Sequence, residues 1–327
     1  MAQVVLLKIA AMFLVIVAGW LLRRHGFVAA EFAATLSRLV VDIAFPALVF
    51  TQMLRTVDAA ALHEGWLSPL LCGLLIVIAY LVGLVVAPVF AVPAQRNTFL
   101  FLVATPNWVF LPLPIAEALY GGAGVRAVLL CNAGAQLVLW SFGVWILHGR
   151  MREATRSLLG NTGLWATAAG IAVALAFPAA HDFETLNPAA VSIGWVAGGA
   201  AVQALAMVGS LTVPLSLLTI GAQLGGLIVP AHRFPRALTG VVLARLLLAP
   251  LVTISLGFVM VKLGLVISEV TRLVLYLIAA MPVAISCSVM AERYHGDSAL
   301  ASQSIFYSTF FSLLSVPAVF YLIQRLG

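Results

Sequence analysis

Long apolar runs alternate with short polar connections along this chain, and the runs set the architecture. Apolar stretches of about 18 residues or more are long enough to cross a bilayer as helices. The pattern predicts helices near 4–22, 33–54, 66–91, 98–120, 125–148, 160–180, 204–229, 237–261, 270–292 and 299–323. Segment 187–203 is apolar and rich in Gly and Ala, and joined to the seventh helix it would overfill one crossing. It is expected to form a short lead-in helix, as is 28–38 before the second helix. The first run, Val4–Leu22, exceeds a signal-peptide core and lacks a small-residue cleavage site before a polar domain, so it reads as a retained helix. The predicted fold is an all-α polytopic membrane protein of ten transmembrane helices.

Composition strengthens this reading. Of 327 residues, 63% are hydrophobic and 9% charged, whereas soluble domains carry roughly a quarter charged residues. The net charge of +6 raises nucleic acid as a partner. Its distribution argues against one, because the basic residues are scattered between apolar runs with no aromatic-interleaved basic face. Cys72, Cys131 and Cys287 lie singly in apolar runs and read as packing residues. All six histidines fall in loops or at helix ends, without metal-ligand spacing, so neither a cofactor nor a metal site is expected.

Lys and Arg in alternate loops give an orientation. One side holds Arg23, Arg24, Arg96, Arg150, Arg152, Arg156, Arg233, Arg236 and Arg293, and the other Arg55, Arg126, Lys262, Arg272 and Arg325. The richer side is expected in the cytoplasm of a bacterial inner (plasma) membrane, with both termini outside.

The chain also resembles itself. Pro46 in the second helix matches Pro214 in the seventh, and Pro106 in the fourth matches Pro282 in the ninth. The phrase Ala116-Glu117-Ala118-Leu119-Tyr120-Gly121 is echoed by Ala291-Glu292-Arg293-Tyr294-His295-Gly296. The same order in both halves predicts two five-helix repeats, 1–148 and 160–327, joined by a cytoplasmic connection at 149–159. Five is odd, so the repeats would insert with opposite topology, as in many secondary transporters.

Proline inside a spanning helix removes a donor and frees a carbonyl that lipid cannot satisfy. Matched breaks in two inverted halves point to a binding site near the midplane, where half-helix N-termini favour an anion. The fourth helix carries Pro106, Pro112 and Pro114, with Asn107 after the first, and the ninth carries Pro282 with Ser286 and Ser288 beyond it. Packing kinks are the plainer account of any single proline; the matched pair favours the functional one. Asp42, four residues after Arg38, is either a proton-linked or gating carboxylate or half of an intrahelical ion pair. Arg245, near Pro250, is either a counter-charge to an anionic substrate or a side chain snorkelling to the cytoplasmic surface. Gln52, Asn132, Gln136, Gln223, Tyr307, Ser308 and Thr309 read mainly as polar glue between helices. Gly194/Gly198 and Gly221/Gly225 permit close helix approach, within the chain or across a homodimer.

Pro106-Asn107-Trp108-Val109-Phe110-Leu111-Pro112-Leu113-Pro114, running on to Leu119-Tyr120-Gly121, resembles the fourth-helix motif of the auxin efflux carrier family. Phe45-Pro46-Ala47-Leu48-Val49-Phe50, Ala280-Met281-Pro282 through Ala291-Glu292, and Ser308-Thr309 to Ser315-Val316-Pro317 fit it too. The resemblance implies two inverted five-helix repeats with helices 4 and 9 broken and crossing. It implies organic anions as substrates, auxin in plants and dicarboxylates such as malate or malonate in some bacterial relatives. It places Asn107 at the crossover with the backbone around Pro106 and Pro282, and through them Trp108, Met281 and Ser286 at the substrate. Helices 1, 2, 6 and 7 would form a scaffold, through which a homodimer could form, and the rest a moving domain. Trp108 and Pro112 depart from the smaller residues of plant members, which bears on substrate identity, and the short connection at 149–159 in place of the long cytoplasmic loop of many plant members makes a compact chain, which argues against auxin itself.

The function expected is a secondary transporter of a small organic anion, a carboxylate foremost, working by alternating access, with a coupling proton left open through Asp42. A sodium-dependent bile-acid-type symporter of similar architecture is the alternative. A channel would need a continuous polar pore, and an enzyme a pair of reactive side chains at depth; the sequence offers neither.

Overall fold

The computed structural model describes residues 2–148, 159–178, 193–226, 235–265 and 267–326. Among these the chain is all-helical, apart from one isolated antiparallel bridge. The elements are α1 (Ala2–Arg24), α2 (Ala30–Thr56), α3 (Ala59–Phe90), α4 (Arg96–Ala104), α5 (Pro112–Leu147), α6 (Thr162–Ala176), α7 (Ile193–Ser210) and α8 (Thr212–Gly226). They continue with α9 (Arg236–Lys262), α10 (Glu269–Ala279), α11 (Ser286–Arg293) and α12 (Ser298–Leu326). Among the described residues, six stretches are long and apolar enough to cross a membrane: α2, α3, α5, the run Val196–Gly226, α9 and α12.

Helical backbone is the form a lipid-immersed chain adopts, because each peptide group then finds its partner within the segment. Among the described residues, two of the π-turns precede prolines, while a third, Leu139–Gly143, has no proline after it. Val40–Ala44 and Ala244–Leu248 are π-turns, and each is followed by a helical segment with proline in its first turn, Pro46 and Pro250. Proline lacks the N–H that would bond four residues back, and its ring crowds that carbonyl, so the preceding turn widens. Asp42 and Arg245, the two ionisable residues singled out by sequence, both lie in these widened turns. Gly121 (φ 56°, ψ −142°) separates 112–120 from the rest of α5, a conformation essentially confined to glycine.

Two lead-in segments differ from expectation. Residues 30–39 run through the π-turn into the body of α2 as one helix. Residues 193–210 form a full 18-residue helix, interrupted only at Leu211 before α8, and 187–192 lie outside the described residues. The longer α7 has a packing reason: Gly209 presents bare backbone to Leu48, where a Cβ would come within 2.8 Å of that residue's backbone.

The chain divides into two compact units, each drawing on both sequence halves. One comprises Val15–Trp66 and Asn161–Gly225. In it α6 lies on α2 at Gly170, beside Phe50 and Met53, and Leu54, Ala174 and Val202 form a small core with Phe50 and Val173. The other comprises Met1–Leu14, Leu67–Gly160 and Gly226–Gly327. There α5 packs on α3, and Gly134 admits the Pro69 backbone. Tyr276 of α10 meets Phe258 of α9 and, with Ile254, forms a core cluster.

Candidate functional site

The second unit contains both interrupted helical stretches. α4 ends at Ala104 and helix resumes at Pro112; α10 ends at Ala279 and helix resumes at Ser286. Between these ends the two extended segments pair. Pro106 and Val283 form the antiparallel bridge, flanked by Asn107 N–H donating to the Pro282 carbonyl at 2.8 Å and Ala284 N–H donating to the Thr105 carbonyl at 3.0 Å. In this kind of pair the two central residues turn their own N–H groups outward. Pro106 has no N–H to satisfy, and the Val283 N–H donates to Ser308 Oγ at 3.1 Å. Proline thus stands where any other residue would leave a buried donor to be matched.

Side chains complete the satisfaction of the breaks. Thr105 Oγ1 donates to the Phe101 carbonyl at 2.7 Å, and Asn107 Oδ1 accepts from Phe110 N–H at 3.1 Å. That bond engages the carboxamide oxygen, so the group's remaining donors are those of Nδ2. Asn107 is 3% exposed, and Pro106, Trp108, Met281 and Pro282 are buried, whereas Ser286 is exposed at the start of α11. Pro106, Asn107, Met281 and Pro282 are therefore joined by the bridge or lie next to it. Met281 also lines a small apolar recess with Met12, Phe13, Leu111, Ile115, Ser312 and Val316.

The two ionisable candidates belong to different units. Asp42 is exposed, as is Arg38, and both belong to the first unit. Arg245 belongs to the unit of the bridge and is fully buried. Its side chain does not snorkel: Nη1 donates to the Val103 carbonyl at 2.8 Å and Nη2 to the Ala279 carbonyl. Sequence reasoning missed this pairing, and also the parts played by Thr105 and Val283. A threonine directly before a helix-breaking proline was the legible signal for the first; nothing local marks the second. The three cysteines are free and buried, consistent with packing roles, and no cluster of metal-ligating side chains occurs among the described residues.

Discontinuous helices at corresponding positions of the chain are a feature of secondary transporters. The sequence model described as membrane transport protein matches residues 4–161 and 187–320. The chain belongs to the auxin efflux carrier family. The chain is 26% identical over 313 residues to an uncharacterized transporter of Methanothermobacter thermautotrophicus, covering 94% of this chain and 95% of the relative. An uncharacterized transporter of Methanocaldococcus jannaschii is 24% identical over 325 residues, covering 93% and 94%. The protein is thus an integral membrane protein of a transporter family, matched along nearly its whole length.

Proposed function

We propose that this family member carries a small organic anion, with a carboxylate as the principal class, by alternating access around the bridged breaks. The observation that carries the reading is Asn107. Its backbone N–H is engaged by Pro282 and its Oδ1 by Phe110, so what it can offer a ligand is the Nδ2 donor pair. Donors suit a carboxylate oxygen. The helices resuming at Pro112 and Ser286 begin at the same breaks, and the positive ends of their dipoles add to the preference for an anion. Trp108, Met281 and Ser286 flank these groups.

In this reading 1–148 and 160–327 are inverted repeats of five crossings each, joined by a cytoplasmic connection at 149–159, with both termini outside a bacterial inner membrane. The breaks in α4/α5 and α10/α11 then cross near the midplane. The unit built on 15–66 and 161–225 corresponds to the second, sixth and seventh helices and the last part of the first, close to the set that family resemblance assigns to a scaffold. That unit would stay fixed and carry any homodimer contact while the unit holding the bridge moves. Asp42, exposed on the scaffold side, is the carboxylate available to a coupling proton.

The test is uptake into proteoliposomes over a panel of carboxylates, with the Asn107→Ala variant alongside. Saturable carboxylate uptake in the parent and its loss in the variant are expected. Full uptake by Asn107→Ala would remove Asn107 from the site, and uptake that requires sodium would move the protein to the bile-acid-type symporter reading.

A further inference from the structure

Four helix ends meet at the breaks, and they do not carry the same charge. α4 and α10 arrive with their C-termini, while the helices resuming at Pro112 and Ser286 leave with their N-termini. Each C-terminal end is equivalent to roughly half a negative charge and each N-terminal end to roughly half a positive one. Left alone, the pairs would nearly cancel, and the site would have little preference between anion, cation and neutral solute.

Arg245 alters that balance. Its guanidinium is fully buried, and it donates to Val103 in the last turn of α4 and to Ala279, the last residue of α10. One cation therefore bonds the negative ends of both interrupted helices, 142 and 34 residues away in sequence. Among the described residues no carboxylate pairs with it, and its Nε–H has no partner. A buried charge is normally paired with an opposite one, because its desolvation is costly. Here its counter-charges are two helix ends. The π-turn before Pro250 sets the position of Arg245 on α9.

We infer that Arg245 is the charge-setting residue of the carrier: by occupying both C-terminal helix ends it leaves the two N-terminal ends uncompensated and makes the break region selective for anions. It is a positioning residue: its guanidinium is fully buried and acts through the two helix ends whose carbonyls it bonds. The inference rests on the anion-carrier reading and adds the source of its charge preference.

The experiment compares the parent with Arg245→Lys, Arg245→Gln and Arg245→Met in proteoliposomes. Uptake of acetate, malonate and benzoate is measured against their neutral amides acetamide, malonamide and benzamide. The readout is the acid-to-amide ratio, which does not depend on how much folded protein is reconstituted. For the parent a ratio well above one is expected for at least one pair. Arg245→Lys, which keeps the charge, should hold that ratio within about twofold, while Gln and Met should lower it on the order of tenfold, the scale of a helix-end charge interaction. Hydrogen exchange at 105–107 and 280–284 should quicken in Met and Gln and less so in Lys. If Met misfolds, the Lys and Gln pair gives the same comparison. An unchanged ratio in folded Gln or Met, or a collapsed one in folded Lys, overturns the inference and leaves the carrier reading standing. A parent that does not prefer acids to amides overturns the carrier reading and the inference with it.

Discussion

Replacing Gly221 by alanine sets two known effects against each other. On an open helix face the change would stabilise by about 1 kcal/mol, because glycine is the poorer helix former. At Gly221 of α8, however, an added Cβ would lie 1.9 Å from the backbone oxygen of Ile16 and 2.8 Å from the Trp20 nitrogen on α1. Real Cβ contacts do not fall below 3.0 Å, so the helices must separate by at least about 1.1 Å at this point. The obstructing atoms are backbone, so no rotamer change relieves them. Inserting a methylene into tight packing costs about 1–3 kcal/mol, and rigid backbone on both sides puts this site at the upper end. The expected net effect is a loss of about 1–2 kcal/mol. Gly225→Ala, whose Cβ would stand 2.8 Å from the Trp20 oxygen but otherwise near the flexible Arg23 side chain, should be milder. Thermal unfolding in detergent, followed by tryptophan fluorescence, ranks the variants. A Gly221→Ala protein as stable as its parent, or more so, would refute the close approach of α1 and α8.

Three other outcomes test separate parts of the structure. Gly121→Ala should destabilise by about 1–3 kcal/mol through backbone strain alone, since a Cβ there meets nothing within 4 Å; the same thermal assay reads it. Ser308→Ala removes the acceptor of the buried Val283 N–H and should cost about 1–3 kcal/mol, with faster hydrogen exchange at Val283 and recovery in Ser308→Thr. Asp42→Asn, at an exposed position, should leave thermal stability unchanged and abolish any stimulation of uptake by an inward proton gradient.

Much of the architecture was legible because lipid makes the rules strict. Apolar runs of sufficient length report spanning helices, and prolines within them report where the backbone must find new partners. Pro106 and Pro282 marked the two interruptions, and Gly221 with Gly225 marked a close approach whose partner, α1, the pattern left open. What the sequence pattern overfitted was local: the segment before Pro214 reads as a lead-in by length, yet packing on α2 makes it a full helix. A residue's own neighbours in sequence cannot report which distant carbonyl it will meet. Arg245 near Pro250 reads as a counter-charge or, somewhat better, as a snorkel, and only the fold brings Val103 and Ala279 to its guanidinium. The one-residue offset of the bridge, Pro106 against Val283 and not against Pro282, was likewise decided by tertiary structure. Proline has no N–H to give, so the register that satisfies every buried donor is the one that pairs it with a residue whose own N–H finds Ser308.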